Sequence, residues 1–424
     1  MGIIVQKFGG TSVADLTRIE NVAKLVKAEL ESGNQVIAVV SAMAGATNSL
    51  ITQCAELSRL DELNSLQEYD AAIASGEIVT SALLALQLQS IGIKARSLQG
   101  WQVPIETNRA HGNAQIVNIN PQKLSELLRQ GITPVITGFQ GVSIDGDITT
   151  LGKGGSDTTA AIIAASLNAE SCDIYTDVNG IYTADPRVVH NAKKIDIINI
   201  DELYALCSSG AKVLHPRAAL AAKRYGFKLR ILSSFTNLNR PLAKLASTRR
   251  VLRAYGAEDH SVLRSNGTTT KNEINDMENR QITAITSNKN LLKIEIEHKA
   301  QNFIHIFEAF AKELVSIEQT FSFGKDSSII IANLIDKNKC EKLLNNLKNN
   351  LLLTKYSTEA NISSVTIVGY GIKNDSGLVW KIIELLNNNN ISILSTDLSD
   401  IKMSLIVNDR DNEKVIKLLH EYCF

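Results

Sequence analysis

Aromatic side chains are scarce in this chain, at 5% of residues, and neither sign of charge prevails: 44 Lys and Arg offset 44 Asp and Glu. Without a basic run or stacking platforms the sequence lacks the footprint of a nucleic-acid binder. Cysteines are few, odd in number and scattered (Cys54, Cys172, Cys207, Cys340, Cys423), with no CxxC spacing. They read as free thiols of a reducing compartment. No run approaches the ~18 apolar residues of a membrane span. The first residues carry no signal-peptide charge pattern, and Gln6 spoils a myristoylation motif. The expectation is a soluble, cytoplasmic protein with neither nucleic acid nor membrane as partner.

Two glycine-rich loops are present. In Leu151-Gly152-Lys153-Gly154-Gly155-Ser156-Asp157-Thr158-Thr159-Ala160, three glycines within four positions let the backbone turn and approach a ligand. Ser156 and Asp157 are N-cap residues for a small-faced helix from Ala160. A glycine loop opening a helix aims N–H groups and the positive dipole end at an anion. Lys7-Phe8-Gly9-Gly10-Thr11-Ser12 is a second loop of this kind. Together they predict one phosphate-binding crevice, although neither is a Walker A motif or a G-x-G-x-x-G fingerprint.

At 424 residues the chain is long enough for more than one domain. Apolar strands at Ile3–Phe8, Val36–Val40, Ile132–Thr137 and Asp173–Thr176 alternate with helical patterns at Ile19–Leu30, Gly45–Leu57, Ala71–Leu88 and Ala218–Tyr225. This alternation predicts a mostly parallel sheet covered on both faces, with ligands at the carboxyl ends of its strands. A polar stretch at Glu258–Asn279 reads as a linker. Beyond it two similar units follow, each fitting a βαββαβ plan. The first has strands at Leu291–Glu297, near Val315 and near Ile329, with helices around 303–314 and Cys340–Leu347. The second has strands at Val365–Val368, Ile391–Ser395 and Met403–Val407, with helices at Leu378–Leu386 and Glu413–Leu419.

Lys7, at a strand end inside a glycine-lined crevice, suits a phosphate ligand, and Lys212 is a second candidate. Two lysines flanking a transferring phosphoryl group would stabilise its spreading charge. Asp157 is the carboxylate that would hold those ammonium groups, besides capping its helix. Glu77 taken alone reads as a first-turn dipole partner, and Thr176–Arg187 by itself as a hairpin around Asn179-Gly180. The seven histidines show no paired-ligand spacing, so no protein-built metal site is assigned. The absence of a G-x-S-x-G elbow or a Cys-His nucleophile disfavours hydrolase chemistry.

Seven motifs in order, Lys7–Ser12, Ser41-Ala42-Met43, Ser75-Gly76-Glu77, Gly138-Phe139-Gln140-Gly141, Gly152–Asp157, Tyr182–Arg187 and Gly210–Arg217, resemble the aspartokinase family over nearly the whole chain. The resemblance implies an α/β fold, an amino acid kinase α/β/α sandwich followed by two ferredoxin-like βαββαβ ACT modules. The implied domains are a catalytic domain at 1–245, a linker at 246–280, and ACT-like modules at 281–356 and 361–424. It implies transfer of the ATP γ-phosphoryl to the side-chain carboxylate of L-aspartate. Lys7, Lys212 and Asp157 would serve catalysis. Lys7, Phe8, Gly9, Gly10, Ser41, Thr176, Asp177, Tyr182, Thr183, Ala184, Asp185, Pro186, Arg187 and Lys212 would hold the nucleotide. Thr47, Glu77, Lys153, Gly154, Gly155 and Ser156 would face aspartate, with Glu77 on its α-amino group. Mg2+ would ride on the ATP phosphates.

A homodimer through the ACT modules and a lysine or threonine effector are the implied partners. Two departures stand out: Lys153 where the family usually has Arg, and Glu297–Phe303, which lacks the proline and glycine of the usual effector loop, whereas Asn374-Asp375-Ser376-Gly377 is kept. Another acylphosphate-forming amino acid kinase and an amino-acid sensor with a dead kinase domain are the competing readings.

Overall fold

The computed structural model describes residues 2–60, 62–235, 282–313, 315–323 and 325–424. Among these the chain forms two compact units, one from residues 2–181, 194–208 and 212–235, the other from 182–193, 209–211 and 282–424. The expected linker and its boundaries at 245 and 280 lie outside the described residues.

In the first unit the main strands are β1 (Ile3–Phe8), β2 (Gln35–Val40), β3 (Ala95–Leu98), β4 (Ile105–Thr107), β5 (Ile116–Ile119), β6 (Thr133–Thr137), β7 (Gln140–Ser143), β8 (Ile148–Thr150), β9 (Ser171–Thr176) and β10 (Lys228–Ser233). The helices are α1 (Leu16–Glu31), α2 (Ala46–Leu57), α3 (Leu63–Ile73), α4 (Ser75–Ser90), α5 (Gln122–Arg129), α6 (Gly155–Ser166), α7 (Ile200–Ser208) and α8 (Pro216–Tyr225). Six strands form a sheet in the order β10-β9-β1-β2-β6-β3, every neighbouring pair parallel. Lys7 on the central strand stands opposite Val39 and Ile174, so β1, β2 and β9 end together.

The near-continuous apolar runs of β1 and β2 follow from burial on both faces. On one face Phe8, Val36, Ala38 and Val40 pack against Ile19, Val22 and Val26 of α1 and Leu84 and Leu88 of α4. Each such side chain contributes roughly 1.5–3 kcal/mol by leaving water. The Asp15 carboxylate starts α1 by accepting from the Arg18 N–H, worth ~1 kcal/mol. Gly226, at φ 73°, ends α8 as expected. A small sheet, β5-β4-β7-β8, carries the chain to the glycine loop.

Where the sequence pattern predicts one helix at Ala71–Leu88, there are two, α3 and α4, meeting at Ala74. The 63–90 stretch is apolar and long enough to cross a membrane, with mean hydropathy 1.5. Its inner face is filled by Leu84, Ala85 and Leu88 in the sheet's core, and it buries Asp70 and Glu77. It is therefore built as the core element of this unit.

The second unit is organised on a six-stranded sheet. Its strands are β11 (Ala284–His298), β12 (Ile317–Phe323), β13 (Ser327–Asn333), β14 (Leu353–Val368), β15 (Ile393–Leu398) and β16 (Lys402–Asn408), ordered β12-β13-β11-β14-β16-β15 and antiparallel throughout. Helices Phe303–Lys312 and Lys337–Asn349 cover one half through Ile306, Phe310, Leu344 and Leu347. Helices Ser376–Asn388 and Asn412–Cys423 cover the other through Ile382, Leu386, Val415 and Leu419.

Both expected repeats are present, but only the first closes with its own last strand; that of the second is supplied from residues ahead of the first. Residues 353–362 of β14 pair with the second half of β11, and residues 284–288 of β11 pair with the far end of β14. A single strand thus runs through the expected boundary at 356–361, where Asn361, at φ 64°, marks a register shift and no turn. Ala184 and Val189 of the 182–193 segment join the core of this unit. All five cysteines are free thiols.

Candidate active site

Because β1 and β9 are parallel and in register, the Lys7 end of β1 lies on the carboxyl edge of the sheet. Gly154, in the left-handed region at φ 72°, precedes α6, and Asp157 sits in that helix's first turn. There a carboxylate is favoured by the dipole. Lys7 Nζ is 2.7 Å from Asp157 Oδ1, both side chains nearly buried. Asp157 Oδ2 accepts the His215 backbone N–H at 3.1 Å. One carboxylate thus fixes the ammonium group and ties the 210–217 stretch to the glycine loop.

The glycines act partly against protein. A Cβ on Gly154 would come within 2.2 Å of the His215 ring, and one on Gly155 within 2.8 Å of Phe139. Burial draws the His215 pKa down, with Asp157 pulling it back up. Phe139 itself holds φ 71°, a costly setting for an aromatic residue. It is pinned by its carbonyl accepting from Leu151 N–H at 2.9 Å and its N–H donating to Thr159 Oγ1 at 3.2 Å. Strain maintained on a cavity wall marks a functional surface.

Glu77 arrives from the other side. A Cβ on Gly76 would lie 2.7 Å from that of Ala42, so only glycine lets the start of α4 rest on the 41–44 loop. Glu77 Oε1 then accepts the Ala42 N–H at 3.0 Å, whereas Oε2 is buried without a hydrogen-bond partner. Burial pushes its carboxyl pKa up to about 7, the Ala42 bond opposing. An orphaned carboxylate oxygen on a cavity wall is a waiting acceptor for a donor that is not protein.

These groups line one cavity of about 350 Å³. Of the residues expected from the sequence, it brings together Lys7, Gly10, Ser41, Thr47, Glu77, Lys153, Gly154, Gly155, Ser156 and Asp157. Others stand elsewhere. Phe8 is fully buried in the core, stacked on Tyr175 at 4.9 Å, so its side chain serves packing. The Gly9 N–H donates to the Tyr175 carbonyl. Thr176 and Asp177 end β9, with Thr176 Oγ1 donating to Asp177 Oδ1 at 3.0 Å.

Residues 182–187 belong to the second unit. There Thr183 Oγ1 is 2.9 Å from His420 Nε2, Ala184 is in the core, and Arg187 pairs with Asp185 at 2.7 Å. Tyr182 is half-buried and Pro186 exposed. Asn179-Gly180 does not close the hairpin that the local sequence suggests, because β9 continues the parallel sheet.

Lys212 stands apart from the Lys7–Asp157 pair. It is exposed and pairs with no carboxylate among the described residues. The place beside Lys7 on Asp157, expected for Lys212, is taken by the His215 N–H. Sequence reasoning also missed Arg217, whose guanidinium donates to the carbonyls of Leu151 at 2.8 Å and Ala114 at 3.2 Å. Its place in the 210–217 motif was the available signal.

Known proteins can be set against this site. The model of the amino acid kinase family matches residues 2–233, and that of the ACT domain residues 357–421. The first unit is of the amino acid kinase class, as its sheet and carboxyl-edge glycine loops indicate. An aspartokinase of Rickettsia prowazekii is 42% identical over 438 residues, covering 98% of either chain. E. coli aspartokinase III in complex with aspartate and ADP, in its R-state, covers 99% of either chain with a TM-score of 0.78; at 23% identity it speaks to fold alone. The same enzyme with lysine and aspartate, in its T-state, is 25% identical, covers 100% of this chain and 99% of its own, and has a TM-score of 0.69. The chain belongs to the aspartokinase family.

Proposed function

We propose that this chain is an aspartate kinase, moving the γ-phosphoryl of ATP onto the β-carboxylate of L-aspartate to give 4-phospho-L-aspartate and ADP. The observation that carries the proposal is the shared cavity: the Lys7–Asp157 pair on one wall and the orphaned Glu77 oxygen on the other. Glu77 takes the α-ammonium group of aspartate, and Lys153, with the Gly154–Ser156 backbone and Thr47, takes its carboxylates. Lys7, held by Asp157, meets the phosphoryl group, with Gly9, Gly10 and Ser41 beside it. An attacking carboxylate carries no proton to remove, so no general base is required; orientation and charge neutralisation are the task.

The residues present fit a nucleotide at this edge, since Lys7 and the N-terminus of α6 both favour phosphate. Thr176 and Asp177 extend the site toward ribose and base, and exposed Lys212 would serve as a second phosphate ligand. No group of three or more His, Cys, Asp or Glu able to hold a metal occurs among the described residues. Mg2+ carried on the nucleotide would neutralise phosphate charge.

The product feeds the aspartate-derived amino acids (lysine and diaminopimelate, threonine, methionine), in the cytoplasm, with the chain as a homodimer through its ACT modules. Any response to a lysine or threonine effector would be weak or absent; in the second module Asp375 caps helix Ser376–Asn388 through the Leu378 N–H. In the first module the helix Phe303–Lys312 starts at Asn302 without a side-chain cap, and His298, at the end of the preceding strand, is buried, 3.0 Å from Ser328 Oγ and tilted on Phe303. The test is ADP release that depends on aspartate, with hydroxylamine trapping the acyl phosphate. Turnover of a different amino acid, or ATP consumption indifferent to any, contradicts the proposal.

A further inference from the structure

Outside the lining of the cavity lies a buried carboxyl group that the phosphoryl transfer does not use. Asp70, in the last turn of α3, is fully buried. Its Oδ2 is 2.8 Å from Nδ1 of His111, whose side chain is 2% exposed. The Gly112 N–H donates to both carboxylate oxygens at 3.0 Å, and the Thr150 hydroxyl donates to Oδ1. Four donor contacts from two separate stretches of chain, 111–112 and Thr150, therefore converge on one carboxylate.

Those stretches lead to the two ends of the amino acid site. The Asp70 carbonyl accepts the Ala74 N–H at 3.1 Å, setting the junction from which α4 presents Gly76 and Glu77. Thr150 ends β8 and runs straight into Leu151-Gly152-Lys153. The Ala114 N–H donates to the Thr150 carbonyl at 2.8 Å. Gly152, at φ 72°, leaves no room for a Cβ beside Asn113 Oδ1, at 2.8 Å, or the Gly112 carbonyl, at 3.2 Å. A buried ion pair is weak support for stability, because desolvation offsets its attraction and well-packed apolar groups do as well. What a multiply bonded carboxylate does supply is a fixed distance between the elements it joins.

We infer that Asp70 and His111 are positioning residues that set the separation between Glu77 and Lys153, and so the fit of the amino acid substrate. The inference rests on the aspartate kinase reading. His111 acts through the proton on Nδ1, which Asn reproduces with its amide nitrogen and Gln, reaching the Nε2 position, does not.

The experiment measures KM for aspartate, KM for ATP and kcat for the full-length protein and for Asp70→Asn, His111→Asn, His111→Gln and His111→Leu. In Asp70→Asn, His111→Gln and His111→Leu, KM for aspartate rises roughly tenfold or more, while KM for ATP and kcat at saturating aspartate stay within about threefold. In His111→Asn, KM for aspartate stays within about threefold of the parent, since the donor is restored.

If kcat or the folded fraction falls with KM for aspartate unmoved, or if Asn and Gln behave alike, the pair is structural and the inference fails. Should His111→Leu not fold, the Asn and Gln variants decide it alone. Failure of the underlying reading shows separately, as parent protein without aspartate-dependent ADP release, and takes the inference with it.

Discussion

Glu77 carries the sharpest single-residue consequence. Its folded-state pKa of about 7 lies above the ordinary 4.5, because burial disfavours the charged form. The folded chain therefore binds more protons at this site than the unfolded chain between those two values. Stability falls as pH rises through that window and is level above it, by an amount on the order of 1–3 kcal/mol. Glu77→Gln removes the slope in thermal unfolding measured from pH 4 to 8. If the ionised form binds the α-ammonium group, kcat/KM for aspartate rises with pH, is half-maximal near 7 and levels above that; a flat profile across that range contradicts the assignment. Lys153 sets a second expectation. It offers one mobile ammonium where the family's Arg offers a planar fork, so Lys153→Arg lowers KM for aspartate by roughly three- to tenfold with kcat little changed. An unchanged or higher KM overturns this.

At the scale of elements, the loop before α6 depends on Gly154 twice: for its left-handed backbone and for the His215 ring it admits. Gly154→Ala costs about 1–3 kcal/mol of stability in denaturant unfolding and at least about tenfold in kcat, through displacement of Asp157 from Lys7. Wild-type kcat in that variant would mean the loop is not under this constraint.

The same scale shows why some elements were legible and others hidden. β1, β2, β9 and α1 were readable because burial on both faces, or on one stripe, leaves long regular runs. The short strands β3, β4, β5, β7 and β8 mix polar and apolar residues over three or four positions, too few for a period. The break at Ala74 has only Gly76, two residues on, to announce it; it is set by α4 docking on Ala42. Lys7 and Asp157 could be found because each lies in a glycine loop. Asp70 could not, since its partners at 111, 112 and 150 meet it only after folding.

For the whole molecule, the second unit shows how a repeat can be right in plan and displaced in boundary. The first half keeps its last strand and the second takes residues 284–288 as its own, which makes one continuous sheet from two modules. The effector positions of those halves differ. The helix Phe303–Lys312 of the first starts without a side-chain cap, whereas Asp375 caps the helix of the second. Lysine and threonine, added singly and together, are accordingly expected to inhibit weakly or not at all, while the modules still hold two copies together. An activity titration checks the first point and sedimentation the second; strong inhibition at sub-millimolar effector would contradict the first.

Phosphoryl transfer is proposed to depend on the Lys7 ammonium group, held by Asp157 at the carboxyl edge of the parallel sheet. The most direct measurement is aspartate-dependent ADP formation by Lys7→Met, paired with calorimetric titration of aspartate. A kcat lower by roughly 10²–10⁴-fold, with aspartate affinity within about threefold of the parent, is the predicted result. Undiminished kcat in that variant would contradict it.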